Sequence, residues 1–552
     1  MNIKRVFFNT VTEKLFIFSF LFFSLCNSYT EEISSYSKIL YEYDSIFYDE
    51  LHLTSLESGY VWLSYKKPAS YAELKLNFDG INEKALSEHG KVSYENLYNM
   101  FYKSKPLLSY EQFAFDINLK LALQAQYLYN GEKEPFINKF HRYNKTPEPI
   151  AVPFEFYFSQ YVYLYCVPVF GKNFSGSIHS YPYTNLPLAG NAMDYHFPKK
   201  TGLSIGNKFF NFHIGRGRLN VGRTLSGGMI ISDTPDRLDF ASASLFFKYV
   251  KLDMTVAEIN PTRFFISHEI SIRPLKQFSV TLHEGIILNS VFDPRFLNPF
   301  MIFHNYAPWK DPYINNNYNG NLIGCQLGFD INIIPVKNLR IYGQFGMNQF
   351  QTPSELKGGA NNIPNSMGGI AGIEYSIPMQ AGYLTLNTEF MYADPWLYIG
   401  DTGSKNSFSA SRKENVYASK TYDTSEIKTW LTNPYGPDTI AAFFKADFNS
   451  PHKYRAAFTY RFLCKGENEE KFFNSIDKGE YYYPIHYKEG VKMAKWKTPT
   501  GTVSYFHTMQ LESSYTIIKN LNINAALSWT IARGKINGHS VDFSTYIMYS
   551  LR

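Results

Sequence analysis

Residues 113–129 read FAFDINLKLALQAQYLY. The odd positions are Phe113, Phe115, Ile117, Leu119, Leu121, Leu123, Ala125, Tyr127 and Tyr129, and the even ones include Asp116, Asn118, Lys120, Gln124 and Gln126. This is strict period-two alternation, the signature of a strand whose two faces meet different environments. It also outruns the usual strand of a globular sheet. The aromatic residues sit at the two ends, where a strand crossing a bilayer would carry its interfacial girdles. The fold class this predicts is all-β: a transmembrane outer-membrane β-barrel.

The same pattern recurs along the chain. It returns in residues 153–170, 248–260, 339–350, 368–377, 382–392, 453–463 and 501–517. The tail adds residues 521–529 and 541–551 as a closing hairpin, although the chain ends on Arg552 rather than on an aromatic residue. Long polar stretches separate these segments: 311–321, 351–366, 401–431 and 465–500. Connections of that length are rare in compact soluble domains and ordinary at the outer end of barrels. The chain after residue 110 accommodates about eighteen strands with their connections.

Composition agrees. Aromatic residues make up 18% of the 552 residues and charged residues 18%, against about 25% charged in soluble domains. Mean hydropathy is nevertheless -0.27, as a polar lumen and polar loops would give. The net charge of +6 contains no basic run dense enough for nucleic acid. No stretch beyond the leader approaches the length of a membrane-spanning helix.

Three regions follow. Residues 1–28 read as a signal peptide: Lys4, Arg5 and Lys14 precede or flank the eleven apolar-rich residues LFIFSFLFFSL, 15–25, and small residues follow. Lipidation of Cys26 is the rival use of that site. Residues 29–110 read as a mainly helical periplasmic domain. Its helices are expected over 43–56, 81–89 and 94–101, with strands or loops over 60–65 and 71–77. Residues 111–552 are the barrel. Cys166, Cys325 and Cys464 are too far apart in sequence for a disulfide framework or a zinc site.

The densest chemistry lies in residues 201–305. Arg216, Arg218, Arg223, Asp233, Asp236, Arg237 and Asp239 mix both signs. Arg263, Glu269 and Arg273 follow on one strand face, with His268 on the other; His283 and Glu284 likewise face apart. Ionised groups in this number need partners. They are expected to form a polar network that fills the barrel lumen. Glycoside hydrolysis would need two carboxylates flanking one sugar bond. Glu269 and Glu284 are the available pair, but nothing in the sequence sets their separation, and no catalytic residue is assigned. No HExxH or other ligand spacing marks a metal site, and Gly215-x-Gly217 lacks the surroundings of a dinucleotide loop. No metal or cofactor is expected. Sugar rings stack on aromatic side chains, which makes Tyr306, Trp309, Tyr313, Trp396, Tyr398, Trp430 and Tyr435, in outward loops, the candidate glycan platforms.

The run Gly215-Arg216-Gly217-Arg218, Gly222-Arg223, Ser226-Gly227-Gly228, Ser232-Asp233-Thr234-Pro235 resembles the capsule assembly Wzi family. So do His268-Glu269 with Arg273-Pro274, Leu282-His283-Glu284, and Arg295-Phe296-Leu297-Asn298-Pro299. In the amino-terminal part Tyr48-Asp49-Glu50-Leu51 and Lys67-Pro68 fit the family's helical segment. The resemblance implies an outer-membrane barrel with a small periplasmic helical bundle. It also implies a non-enzymatic, lectin-like role in holding surface polysaccharide. The expected partners are then surface polysaccharide and outer-membrane lipid. A barrel that closes its own edges needs no partner strand, so a monomer is expected. A porin-like channel for small solutes or glycans, and a structural surface protein that touches another envelope protein, remain open alternatives at this point.

Overall fold

The computed structural model describes residues 35–40, 46–104, 106–171, 182–186, 194–196, 198, 200–235, 237–289, 291–303, 323–400, 411–417 and 424–551. The leader expected over 1–28, including Cys26, lies outside them.

Residues 113–129 form Phe113–Ile117 and Lys120–Tyr129, interrupted where Asn118 turns its amide to Pro153 O and its side chain to Ser550. Alternation along the second piece decides which way the sheet faces. Leu123 and Tyr127 are 49% and 54% exposed, whereas Gln124 and Gln126 are buried. Apolar side chains therefore point outward and amides inward, the reverse of a water-soluble sandwich.

The main sheet is antiparallel. It runs in sequence order through Thr201–Gly206, Phe210–Gly217, Leu238–Phe246, Val250–Asn260, Arg263–Leu275, Phe278–Leu288, Ile323–Val336, Leu339–Gln349, Ser366–Met379 and Gly382–Ala393. It continues through Thr439–Ser450, Tyr454–Lys465, Ser504–Ile518, Leu521–Gly534 and Gly538–Ser550. The last of these pairs with Lys120–Tyr129, with Thr545 opposite Ala125. At the other side Thr201–Gly206 pairs with Val162–Cys166, that with Phe154–Phe158, and that with Phe113–Ile117. Residues 153–170, read above as one strand, are thus a hairpin, bent at Ser159 with φ 54. A separate hairpin, Ser411–Tyr417 with Thr424–Trp430, interrupts the polar stretch 401–431.

The amino-terminal helices are Ile46–Ser58, Tyr71–Phe78 and Glu88–Tyr102. Tyr71–Phe78 corrects the expected strand or loop: Ser70 accepts from the Glu73 amide and caps a helix there. Phe47, Leu51, Leu97 and Phe101 form the core of this segment. It docks against the short-turn end of the sheet, where Val61 N donates to Lys276 O (2.8 Å) and Asn338 N to Leu56 O (2.9 Å). Ile46–Ser58 is buried from Phe47 through Glu57, polar side chains included.

The long connections leave from the opposite end. One of them, 218–235, folds inward instead of outward. Leu219, Val221, Met229, Ile230 and Ile231 are buried in the largest apolar cluster. Gly222 turns the chain there at φ 88, a conformation that favours glycine. Wall residue Gly328 makes room for it: a Cβ at that position would lie 2.4 Å from Ile230 Cδ1.

Candidate functional site: a filled interior and its outer rim

The inward face of the sheet is polar, and its partners are the protein's own chain. Arg340, fully buried, donates to Glu374 Oε2 (2.9 Å) and to Arg223 O of the infolded segment (2.8 Å). His52 Nε2 of the first helix donates to the same Glu374 oxygen at 3.1 Å. Lys66 Nζ donates to Glu269 Oε1 (3.0 Å) and Thr255 Oγ1 (2.8 Å). Lys251 joins Glu73 to Asp253. Arg273 donates to Val61 O (3.1 Å) and lies over the Tyr60 ring at 4.4 Å.

The infolded segment is held by two wall residues in particular. The Glu389 carboxylate accepts from Leu225 N (2.7 Å), Ser226 N (2.8 Å) and Tyr342 OH (2.7 Å). Gln344 accepts from Met229 N and donates to Val221 O, both at 2.9 Å. The two fillers also meet each other. Arg223 Nη2 donates to Asp49 Oδ1 at 2.9 Å, Arg455 reaches the other Asp49 oxygen at 3.4 Å, and Lys67 and Asn220 form an antiparallel bridge.

Electrostatics follow from this geometry. Burial alone would raise the Asp49 carboxyl, but the Arg223 and Arg455 guanidinium groups and Lys67 outweigh it and hold Asp49 well below the usual carboxylate range. Burial pushes His52 down to about 4, with the Arg223 charge acting in the same direction against the pull of Glu374.

Of the residues expected in the lumen, Arg223, Glu269 and Arg273 lie on the inward side of the sheet, against the infolded and helical segments. Arg263 starts its strand on the same face as Glu269. Arg218 donates to Asn144 O at 3.1 Å, and Asp233 and Arg237 are half-buried at the end of the infolded segment. Asp236 lies outside the described residues. Two expectations need correction. Arg216 shares its strand face with exposed Phe212 and Ile214 and makes a bidentate pair with Asp239 (2.8 and 2.9 Å) on the outside of the sheet. Glu284 shares its face with exposed Leu282 and pairs outside with His268 at 2.7 Å. Glu269 and Glu284 therefore lie on opposite sides of the wall and cannot flank one sugar bond. Among the described residues no group of three or more His, Cys, Asp or Glu could hold a metal ion, and no helix is long and apolar enough to cross a membrane.

The aromatic candidates also fall differently. Tyr306, Trp309 and Tyr313 lie outside the described residues. Trp396, Tyr398, Trp430 and Tyr435 are buried, which corrects the expectation of open platforms. Trp396 Nε1 donates to Met493 O (3.0 Å) and its ring stacks on Trp496 at 5.7 Å. Tyr398 OH donates to Met229 O (2.8 Å), and Trp430 packs on Phe472 and Phe473. These rings fasten the long connections over the infolded segment. Exposed rings occur instead on the connection 466–503. Tyr481 and Tyr487 are 42% and 41% exposed, the Tyr481 and His486 rings lie 4.7 Å apart, and Lys488, Lys492, Lys495 and Lys497 are exposed beside them. The density of Tyr and Lys in 481–497 was visible in the sequence; which rings would stay open was not.

No family model matches the chain, and no curated protein matches it in sequence. Among solved structures it is similar to Wzi of Escherichia coli, an outer-membrane protein involved in group 1 capsule assembly and described as a carbohydrate-binding β-barrel. That match has TM-score 0.57 and 10% identity, and covers 92% of this chain and 99% of that one. OccK5 (OpdH) of Pseudomonas aeruginosa matches at TM-score 0.41 and 8% identity over 79% of this chain and 98% of that one. At 10% identity the first likeness shows the fold, a mostly antiparallel β-sheet of the outer-membrane barrel type.

Proposed function

We propose that this chain is a non-enzymatic outer-membrane protein that binds surface polysaccharide and so anchors it or helps its assembly at the cell surface. In this reading the pairing of Gly538–Ser550 with Lys120–Tyr129 closes an eighteen-strand transmembrane barrel, counted along the described pairings. The helical segment faces the periplasm and the long connections face outward. The observation that carries the reading is the infolded segment 218–235, held by Glu389 and Gln344 and tied to the helical segment through Arg223 and Asp49. Wall charges that would line a channel are engaged by the chain itself, which disfavours the porin-like alternative. Wzi's carbohydrate binding supports the glycan class. The open rings and lysines of 481–497 supply its chemistry: stacking faces for sugar rings beside cations.

The test is ion conductance of the purified protein in a planar bilayer, followed by glycan binding. A silent bilayer, with folding shown by a heat-dependent gel shift, and glycan binding weakened in Tyr487→Ala are the expected results. Steady large conductance steps would overturn the reading in favour of a channel.

A further inference from the structure

The outer wall carries an ionisable pair in mid-strand that lipid could not cover directly. His268 and Glu284 pair across neighbouring strands on the outward face, at 2.7 Å. An ionisable pair bare to acyl chains is costly. Residues 291–303 lie over it. The Phe303 ring stacks on the His268 ring at 4.3 Å and 14°, and Phe296 is fully buried beside it. Ile266 and Ile286 flank the pair on the same outward face and have 0% exposure, whereas Leu252 and Leu282 further along that face are 41% and 51% exposed. The difference is the cover.

The cover turns its own apolar side chains outward. Phe300 is 88% exposed, Val291 71% and Ile302 58%, while Asp293 pairs with Arg295 at 2.6 Å. Large apolar groups grouped this way are unfavourable in water. Exposed apolar side chains such as Leu282 likewise cover the bare wall on the same outward side. We propose that residues 291–303 are a strap seated in the membrane, with acyl chains as the occupant of its outer face, and that it seals the His268–Glu284 pair from lipid. This rests on the transmembrane reading above.

Nitroxide labels on Phe300→Cys, Leu282→Cys and Lys488→Cys in the full-length protein, reconstituted in phosphatidylcholine vesicles, test it. The parent protein carried through labelling supplies the background of its own thiols. Collisions with oxygen, which concentrates in lipid, are compared with collisions with a water-soluble nickel chelate. The expected result is oxygen preference at 300 equal to that at 282, and nickel preference at 488. Nickel preference at 300 with oxygen preference kept at 282 overturns the strap and leaves the barrel reading intact. Nickel preference at both sites overturns both. Low collision with either reagent at 300 means that protein covers the strap, which also overturns the proposal. Phe300 is almost fully exposed, so its replacement leaves the folded core untouched.

Discussion

Replacing Glu389 by Gln tests the anchoring of the infolded segment with almost no change of volume. Glu389 is buried, and its carboxylate accepts from two backbone amides and one phenol. Gln keeps one oxygen and presents an NH2 group where the second stood. One charge-assisted bond is lost, and a buried N–H of Leu225 or Ser226 is left facing a donor. Hydrogen bonds to charged groups contribute about 1.5–3 kcal/mol each and an unsatisfied buried donor costs about 1–3 kcal/mol; the two costs overlap, so the anchor weakens by about 2–4 kcal/mol. At 1.4 kcal/mol per tenfold, amide exchange at 225 and 226 accelerates by about 30- to 1,000-fold, while the strands of the main sheet, opening only globally, keep their protection. Exchange read by mass spectrometry on the folded protein measures this. Tyr342→Phe is the contrast: it removes the hydroxyl but leaves both amide acceptors, and exchange at 225 and 226 changes little. Unchanged exchange in Glu389→Gln, with the heat-dependent gel shift intact, would refute the argument that this carboxylate holds the segment.

Acidification should loosen the helical segment through His52. Its folded-state value of about 4 lies below the ordinary 6.5, so the unfolded chain binds the proton first; stability is full above about 6.5 and falls by about 3 kcal/mol as pH drops to about 4. Protease release of the segment against pH measures this, and His52→Gln should flatten that window. The Asp49 contribution, from a depressed carboxyl, is present above its ordinary 3.8 and is lost only below it, so the two windows separate. Removing one partner of the buried Lys66–Glu269 pair, 3.0 Å apart, should cost about 3–5 kcal/mol, and Lys66→Met with Glu269→Met should restore most of it; denaturant titration of the helical segment reads both. Trp396→Ala should destabilise the 466–503 connection by about 3–5 kcal/mol through the cavity it leaves, seen as faster exchange across that connection.

The alternation at 113–129 was enough for the sheet because period two survives any connection length. Which face was inside was legible too, from Gln124 and Gln126 against Leu123 and Tyr127. Parity was the better guide to single charges. Arg216 keeps step with Phe212 and Ile214, and Glu284 with Leu282, and both go outward. Grouping charges by local density put them in the lumen. The helix at Tyr71–Phe78 carries a short alternating pattern that reads either way, but Ser70 with Glu73 three residues on marks a helix start. The burial of Trp396 and Trp430 was not legible, since ring type says what a side chain can stack on and not whether its own chain already occupies it. That charges of 218–235 such as Arg223 face the interior was expected, but the path of the segment was not legible: its Gly, Arg and Ser residues suit a surface loop equally well, and partners far away in sequence, Glu389, Gln344 and Arg340 among them, draw it in.

The two fillers enter from opposite ends and meet at Arg223, and this makes them one mechanical unit. Arg223 gives its side chain to Asp49 of the first helix and its carbonyl to Arg340, which holds His52's partner Glu374. Only Thr224 and Leu225 then separate Arg223 from the amide that Glu389 holds at Ser226, so a shift of the segment at one point strains the ion pair at the other. Loosening the Glu389 anchor should therefore also raise exchange in Ile46–Ser58, and Arg223→Met should sever that link. In a cycle of Glu389→Gln and Arg223→Met, read at the first helix, contacts in one network give coupling energies of about 0.5–3 kcal/mol, whereas independent sites add within about 0.3–0.5 kcal/mol. Additive effects would mean that the fillers are merely adjacent. Coupled effects would mean that anything pulling on 218–235 from the outer rim is felt at the short-turn end, through buried charge rather than through an open lumen.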